Sequence, residues 1–272
     1  RADGKDEKKA EAGPSCAECH AEQAAASPGN PHLRVATDAA CVTCHGDGAA
    51  HVAAAGQEPI EFNGRGRAGT AQCLTCHRET KENRSYRAGA HATGDTVNCG
   101  TCHSIHTPAA KTAHLMVKPQ LELCGGCHRD AATSFKSKPY GHRVGRGGME
   151  CSSCHDPHGR AGRDGILRRT EAGELPCLSC HGEKRGPNVY EHVTGVTGDC
   201  LTCHEAHGST NQKRLVRSTV RSLCLECHST LTGGALGSQP PSIHDVSSPR
   251  WANCTVCHVA VHGSQRSTAL LK

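Results

Sequence analysis

No run of this 272-residue chain alternates apolar and polar side chains long enough to predict a β-strand. None approaches the roughly 20 apolar residues that a membrane-crossing helix requires. Glycine- and proline-rich joints, such as Gly145-Arg146-Gly147-Gly148 and Gly233 to Pro241, read as loops. The opening Arg1-Ala2-Asp3-Gly4-Lys5-Asp6-Glu7-Lys8-Lys9 is charged and lacks the apolar segment of a secretion signal, so 1–15 reads as the polar tail of a processed chain. What regular structure the pattern predicts is short helices, each opened by a recurring cysteine motif, in a mostly irregular chain with little or no β-structure.

Composition sharpens this picture. With two Phe, three Tyr and one Trp beside 31 Gly and 13 Pro, the chain lacks the large side chains for the core that its length normally supports. Something else must supply buried apolar surface. Without it the ordering entropy goes uncompensated and the chain is expected to be largely unfolded.

The cysteines say what that something is. All 20 fall in ten copies of Cys-x-x-Cys-His: Cys16/Cys19, Cys41/Cys44, Cys73/Cys76, Cys99/Cys102, Cys124/Cys127, Cys151/Cys154, Cys177/Cys180, Cys200/Cys203, Cys224/Cys227 and Cys254/Cys257. The histidines that follow are His20, His45, His77, His103, His128, His155, His181, His204, His228 and His258. Half a zinc site, a redox dithiol or a disulfide framework would explain paired cysteines. None of these requires the histidine. With 21 histidines in 272 residues, ten such coincidences have odds of roughly one in 10¹¹. In c-type haem attachment the two thiols form thioethers to one porphyrin and the histidine takes its iron. The motif count thus predicts ten covalent haems, which act as the core that the chain wraps.

That cofactor revises the charge. The formal +5 falls to about −5 with ten oxidised haems and about −15 with ten reduced ones, since two propionates accompany each iron. Lys and Arg are read as offsetting propionates, and no nucleic-acid surface is expected. Thioether attachment in bacteria takes place outside the cytoplasmic membrane, so the chain is expected to be exported.

The motifs pair. First members start at Cys16, Cys73, Cys124, Cys177 and Cys224, spaced by 57, 51, 53 and 47 residues. Such a period predicts a linear array whose units contact mainly their neighbours. It divides the chain into five di-haem modules, 16–62, 63–118, 119–170, 171–215 and 216–272. A histidine precedes each second motif (His32, His91, His142, His192, His244), and another follows its motif histidine (His51, His106, His158, His207, His262). These ten are candidate sixth ligands. Met116 and Met149 are the only methionines, so bis-histidine, low-spin irons are expected. His114 is left over and reads as a polar neighbour of a haem edge.

In Cys102-His103-Ser104-Ile105-His106, Cys154-His155-Asp156-Pro157-His158 and Cys203-His204-Glu205-Ala206-His207 the two histidines lie three apart. On a helical turn both would sit on one face, so the second must serve a different iron from the first. Each such strap would draw two irons together.

Further residues resemble the MtrA/DmsE-type decahaem cytochromes. They are Cys180-His181-Gly182-Glu183-Lys184-Arg185-Gly186-Pro187, Glu191-His192, Cys200 to Ser209, Cys154-His155-Asp156-Pro157-His158-Gly159 and Cys257 to Ser264. The likeness runs from Cys16 onward and is strongest between about Cys151 and His228. It implies an elongated row of ten bis-histidine haems in the periplasm, with the motif histidines as proximal ligands and the framed ones as distal. It also implies insertion into an outer-membrane β-barrel porin, with periplasmic electron carriers on one side and an outer-surface multihaem cytochrome or reductase on the other. Two departures stand out. His114 has no counterpart in the family pattern, and the 228–254 segment is the longest within any pair.

The leading reading is therefore an electron conduit through a porin, with no transmembrane span of its own. An enzyme would need an open iron position, and here the histidine candidates exceed the irons by one. A free periplasmic shuttle and a subunit of an extracellular cytochrome filament, self-associated through a histidine passed between copies, remain as alternatives.

Overall fold

The computed structural model describes residues 15–25, 30–33, 38–60, 66–80, 83–92, 96–106, 113–159, 166–192, 199–228 and 249–271. Most of the tail 1–15 and the joint 233–241 lie outside them. Among the described residues the α-helices are α1 (Cys16–Cys19), α2 (Ala21–Ala24), α3 (Asp38–His45), α4 (Ala49–Ala53), α5 (Gly66–His77), α6 (Cys99–Cys102), α7 (Gln120–Gly125), α8 (Arg129–Ser137) and α9 (Val220–Leu225). The remainder is 3₁₀ turns and irregular chain, and β-structure is confined to isolated bridges. A multihaem cytochrome fold of short helices without a sheet is what the sequence pattern implies.

Each motif is one helical turn. The histidine N–H donates to the carbonyl of the first cysteine at 2.9 Å in Cys16–His20, 2.8 Å in Cys99–His103 and 3.0 Å in Cys254–His258. That bond sets two thiols and an imidazole around a single turn. The helices do not all follow the motif, however. Cys99, Cys151, Cys200 and Cys254 open a turn, whereas Cys73, Cys124 and Cys224 stand near the end of the helix that carries them. Capping explains the first group. Asn98 and Thr101 form a reciprocal capping box at Cys99, Glu150 and Ser153 form one at Cys151, and Asn253 accepts from the Thr255 N–H at Cys254.

Among the described residues the protein itself buries few side chains. The described apolar residues inside are Leu74, Tyr86, Ala132 and Val144, joined by the polar Asn30, Ser209 and Ser264. The chain groups into two compact units, Arg1–Pro119 with Pro157–Arg163 and Gln120–Asp156 with Asp164–Lys272.

In the first unit Asn30 is fully buried and ties two distant segments. Its Nδ2 donates to the Ile105 carbonyl at 2.5 Å while its Oδ1 accepts from the His32 N–H at 3.0 Å. In the second unit Tyr140 and Ser209 exchange two backbone bonds, as do Tyr190 and Ser264. Ser209 Oγ then donates to the Leu215 carbonyl and accepts from the Asn211 N–H. Asn30, Tyr140 and Tyr190 each stand two residues before a framed histidine. Ser209 and Ser264 each stand two residues after one, and Ile105 directly precedes one. The same tie thus recurs, fastening a framed histidine of one module to that of the next.

Gly208 (φ +106°) and Gly263 (φ +132°) make that approach feasible. A Cβ at Gly263 would lie 2.1 Å from Asn188 Nδ2, and one at Gly208 would lie 3.4 Å from the Tyr140 carbonyl. Gly263 excludes a side chain by dihedral and by space, Gly208 by its dihedral alone.

Candidate metal centres

The framed histidines meet motif histidines ring to ring. In the first unit His20 faces His51 with centroids 5.9 Å apart, His32 faces His77 at 5.7 Å, His45 faces His106 at 6.0 Å and His103 faces His158 at 6.0 Å. In the second unit the pairs are His142–His181 at 6.5 Å, His155–His207 at 5.9 Å, His192–His228 at 6.2 Å and His204–His262 at 6.3 Å. Every pair joins one motif histidine to one framed histidine. His91, His128 and His258 are described and have interactions of their own. His244 lies outside the described residues.

This spacing fits an iron. An imidazole nitrogen ligates a first-row metal at about 2.0 Å, so two axial imidazoles hold their facing nitrogens about 4 Å apart and their centroids about 6 Å apart. The facing Nε2 atoms of His32 and His77 are 3.4 Å apart. Ordinary aromatic pairs also meet with centroids roughly 4.5–7 Å apart, and what marks these out is that each joins one motif histidine to one framed histidine. Eight pairs near 6 Å suit a coordinated atom between them.

The other ring nitrogen is occupied so that Nε2 is left for metal. His103 Nδ1 donates to the His114 carbonyl at 2.7 Å, His204 Nδ1 to the Lys213 carbonyl at 2.9 Å and His258 Nδ1 to the Ala269 carbonyl at 2.5 Å. His51, His91 and His106 do the same to Glu58, Pro157 and Gln23 at 2.6, 3.1 and 3.1 Å. A carbonyl at Nδ1 fixes the tautomer and raises the basicity of Nε2. Burial helps by lowering the pKa of His155, with His207 and His128 adding to it, and of His207, with Lys138 adding to it. A neutral imidazole is the form that binds metal.

The straps are not helical turns as expected. His103, His155 and His204 lie in isolated antiparallel bridges with Met116, Leu167 and Leu215. The reason is a returning segment: Ser104 N donates to the Leu115 carbonyl and Val117 N to the Cys102 carbonyl, and Glu205 and Val216 repeat this with Arg214 and Cys203. Within each strap the two histidines nonetheless face different partners. His103 meets His158 while His106 meets His45, and His204 meets His262 while His207 meets His155.

Mapped onto the cysteine-defined segments, seven of the eight pairs cross from one module to the next, and only His20–His51 stays within one. The histidine before a second motif faces the first motif of the following module. The histidine after it faces the second motif of the preceding module.

The thiols alternate likewise. None of the twenty cysteines is paired in a disulfide. Side-chain contacts join Cys16 to Cys41, Cys73 to Cys99, Cys124 to Cys151, Cys177 to Cys200 and Cys224 to Cys254. Burial and then the facing thiol push Cys224 up to about 11. Burial also raises Cys44, Cys154 and Cys203, followed by Cys76, Cys177 and Cys227 respectively. In these pairs neighbouring motifs meet by their first cysteines within a module and by other cysteines between modules.

The two thiols of a motif can differ in exposure. In the first motif of every module the second cysteine is exposed: Cys19, Cys76, Cys127, Cys180 and Cys227. Cys257 is exposed as well, whereas the remaining cysteines, Cys124 among them, are half-buried. The physical reason is local. Cys127 is carried just past the end of α7, with its N–H donating to the Cys124 carbonyl at 3.2 Å. Cys124 lies on the helix and packs toward Cys151, while Cys127 is left on the outer side of the turn. Cys227 repeats this at the end of α9, its N–H on the Cys224 carbonyl at 3.3 Å.

The carbonyl acceptors, the buried Asn30 and the Lys138–Glu205 ion pair at 2.8 Å are additions that motif reading did not find. His114 enters through its backbone, and its side chain is exposed.

Paired thiols on a helical turn, an adjacent imidazole and an opposing imidazole define a multihaem c-type cytochrome. Known proteins agree. A family model described as Doubled CXXCH motif matches residues 91–133, 142–186 and 192–233, and one described as Cytochrome c3 matches 8–92. The doubled-motif matches enclose Cys99 with Cys124, Cys151 with Cys177 and Cys200 with Cys224, one motif out of phase with the modules above. Contacts within and between modules accommodate either phase. Multiheme cytochrome MtrA of Shewanella baltica (strain OS185) is 31% identical over 244 residues, covering 85% of this chain and 69% of that protein. The chain belongs to the MtrA family of multihaem cytochromes. It binds c-type haem covalently and is an electron-transfer protein, not an enzyme. Among the described residues no helix is long and apolar enough to cross a membrane.

Proposed function

We propose that this chain carries ten haems, all bis-histidine ligated, and conducts electrons along them through an outer-membrane porin to or from a partner at the cell surface. The observation that carries the reading is the set of eight imidazole pairs at a single spacing, 5.7 to 6.5 Å. Each motif histidine is the proximal ligand and its facing framed histidine the distal one. His91, His128, His244 and His258 complete the twenty.

Bound haem supplies a one-electron couple at each site. The chain does the rest. Thioether-forming cysteines, the exposed Cys127 and its counterparts included, fix each macrocycle, and carbonyls at Nδ1 orient the imidazoles. The straps 103–106 and 204–207 each serve two irons from residues three apart, which holds neighbouring centres close. With a histidine held on both sides of each site, a bound haem iron would have no position free for a substrate.

The porin follows from the resemblance to MtrA/DmsE-type cytochromes and from physics. A chain with so few apolar side chains cannot face lipid, and a barrel removes the need. Export to the periplasm follows from thioether attachment. The facing of His20 by His51 within one module weighs against a filament that needs a histidine passed between copies at that site.

Fractionation of outer membranes tests the proposal. Co-elution of the chain with a barrel protein in fixed stoichiometry, a haem count of ten by intact mass and low-spin electron paramagnetic resonance throughout are expected. A high-spin centre in undamaged protein, or recovery as long polymers, would overturn it.

A further inference from the structure

Lys138 directly follows α8 in sequence, and its Nζ lies 2.8 Å from Glu205 Oε2. Glu205 is the residue between His204 and Ala206 in the strap 203–207. It therefore stands between two candidate ligands that face different partners, His204 opposite His262 and His207 opposite His155. Lys138 is also packed at this place, since a Cβ at Gly208 would lie 3.4 Å from the lysine Cβ. Phe135, one helical turn before it, closes the other side of His207 edge-on at 5.4 Å. A fixed cation and a fixed anion thus sit where two adjacent redox centres are joined by one strap.

We propose that Lys138 is a positioning and potential-setting residue. Its charge neutralises Glu205 and holds the reduction potentials of the His155/His207 and His204/His262 centres above the values that the bare carboxylate would impose. The physics is elementary. Reduction adds a negative charge to a centre, a nearby cation favours that state, and a nearby carboxylate disfavours it. Lys138 and Glu205 are 32% and 39% exposed, so water attenuates the interaction without abolishing it. This rests on the ligand reading proposed above.

The experiment uses the full-length, haem-loaded protein. Electron paramagnetic resonance of the unaltered chain comes first, because a spectrum lacking bis-imidazole centres overturns the ligand reading whatever Lys138 does. Redox titrations of Lys138→Met, Lys138→Arg, Glu205→Gln and the double variant follow, with haem content checked by mass. Lys138→Met is expected to disfavour reduction of one or two centres about tenfold, a shift of ~59 mV for a one-electron couple, while the other haems stay in place. Lys138→Arg should restore the curve, and adding Glu205→Gln to Lys138→Met should cancel most of the shift. An unshifted Lys138→Met curve in protein with full haem content and unchanged low-spin spectra overturns the inference. So does a shift that Lys138→Arg reproduces, since packing alone would then be responsible.

Discussion

His103 gives its Nδ1 proton to the backbone carbonyl of His114 at 2.7 Å, and His114 and Leu115 both adopt left-handed backbone, with φ of +59° and +54°. The same corner recurs where His204 bonds the Lys213 carbonyl, with Lys213 and Arg214 at +55° and +58°. Left-handed bulky residues cost roughly 1–2 kcal/mol each. The carbonyl that clamps a motif histidine is held there at that expense.

The first prediction concerns His114. Since its carbonyl does the clamping, as Lys213 and Ala269 do elsewhere, His114→Gln should keep all haems low-spin and leave the redox titration unchanged. Leu115→Val places a β-branched side chain at positive φ and should lower stability by about 1–2 kcal/mol, measured by thermal unfolding. A new high-spin signal in His114→Gln would make the ring itself a ligand.

A second prediction tests pairing across modules. His158→Ala should open the iron of His103, not that of the adjacent His155. Removing His158 and His103 together should then perturb one centre, whereas removing His158 and His155 should perturb two, counted by resonance Raman or electron paramagnetic resonance. Equal counts in the two double variants would refute the crossing.

Truncation gives the third. A chain ending at residue 170 retains His142 and His155 but lacks His181 and His207, their facing partners. It should show a five-coordinate or exogenously ligated iron at His155, visible by carbon monoxide binding. A fully six-coordinate fragment would show that modules are self-sufficient.

Glycine supplies the fourth. Gly263→Ala meets both a φ of +132° and Asn188 Nδ2 at 2.1 Å, and should destabilise by about 1–3 kcal/mol. Asn188→Ala in the same chain should recover only the steric part. Full recovery would show that the dihedral is not costly there. Chemical denaturation followed at the Soret band reads both.

Much of the site was legible in the residues. Cys-x-x-Cys-His specifies thiols and imidazole within one turn because a single helical bond, such as His103 N to Cys99 O, builds it. The unequal exposure of Cys124 and Cys127 was not legible, because it depends on where α7 ends and not on the motif. The framed histidines were legible by their recurrence. Which motif each one faces was not, because spacing says only that His106 and His103 cannot share an iron. That choice is set by distant ties such as Asn30 to Ile105 and Tyr140 to Ser209, which run largely through backbone atoms and leave little trace in residue type. The straps were misread as helical because the pairing of Leu115 and Val117 with residues 102–104 is invisible to a local pattern. The helix positions were half right, since caps at Asn98 and Asn253 open turns at some motifs while α5 and α7 bring others to their ends.

The crossing of histidines between modules also bears on how the molecule comes to exist. A polypeptide loaded with porphyrin from its amino-terminal side could complete the His20 centre at once, since His51 follows in the same segment. The later described pairings are of two kinds: His77, His181 and His228 find His32, His142 and His192 already delivered, whereas His45, His103, His155 and His204 wait for His106, His158, His207 and His262 downstream. On the ligand reading proposed above, a chain interrupted during loading would leave open only those second-motif sites whose facing histidine had not yet arrived.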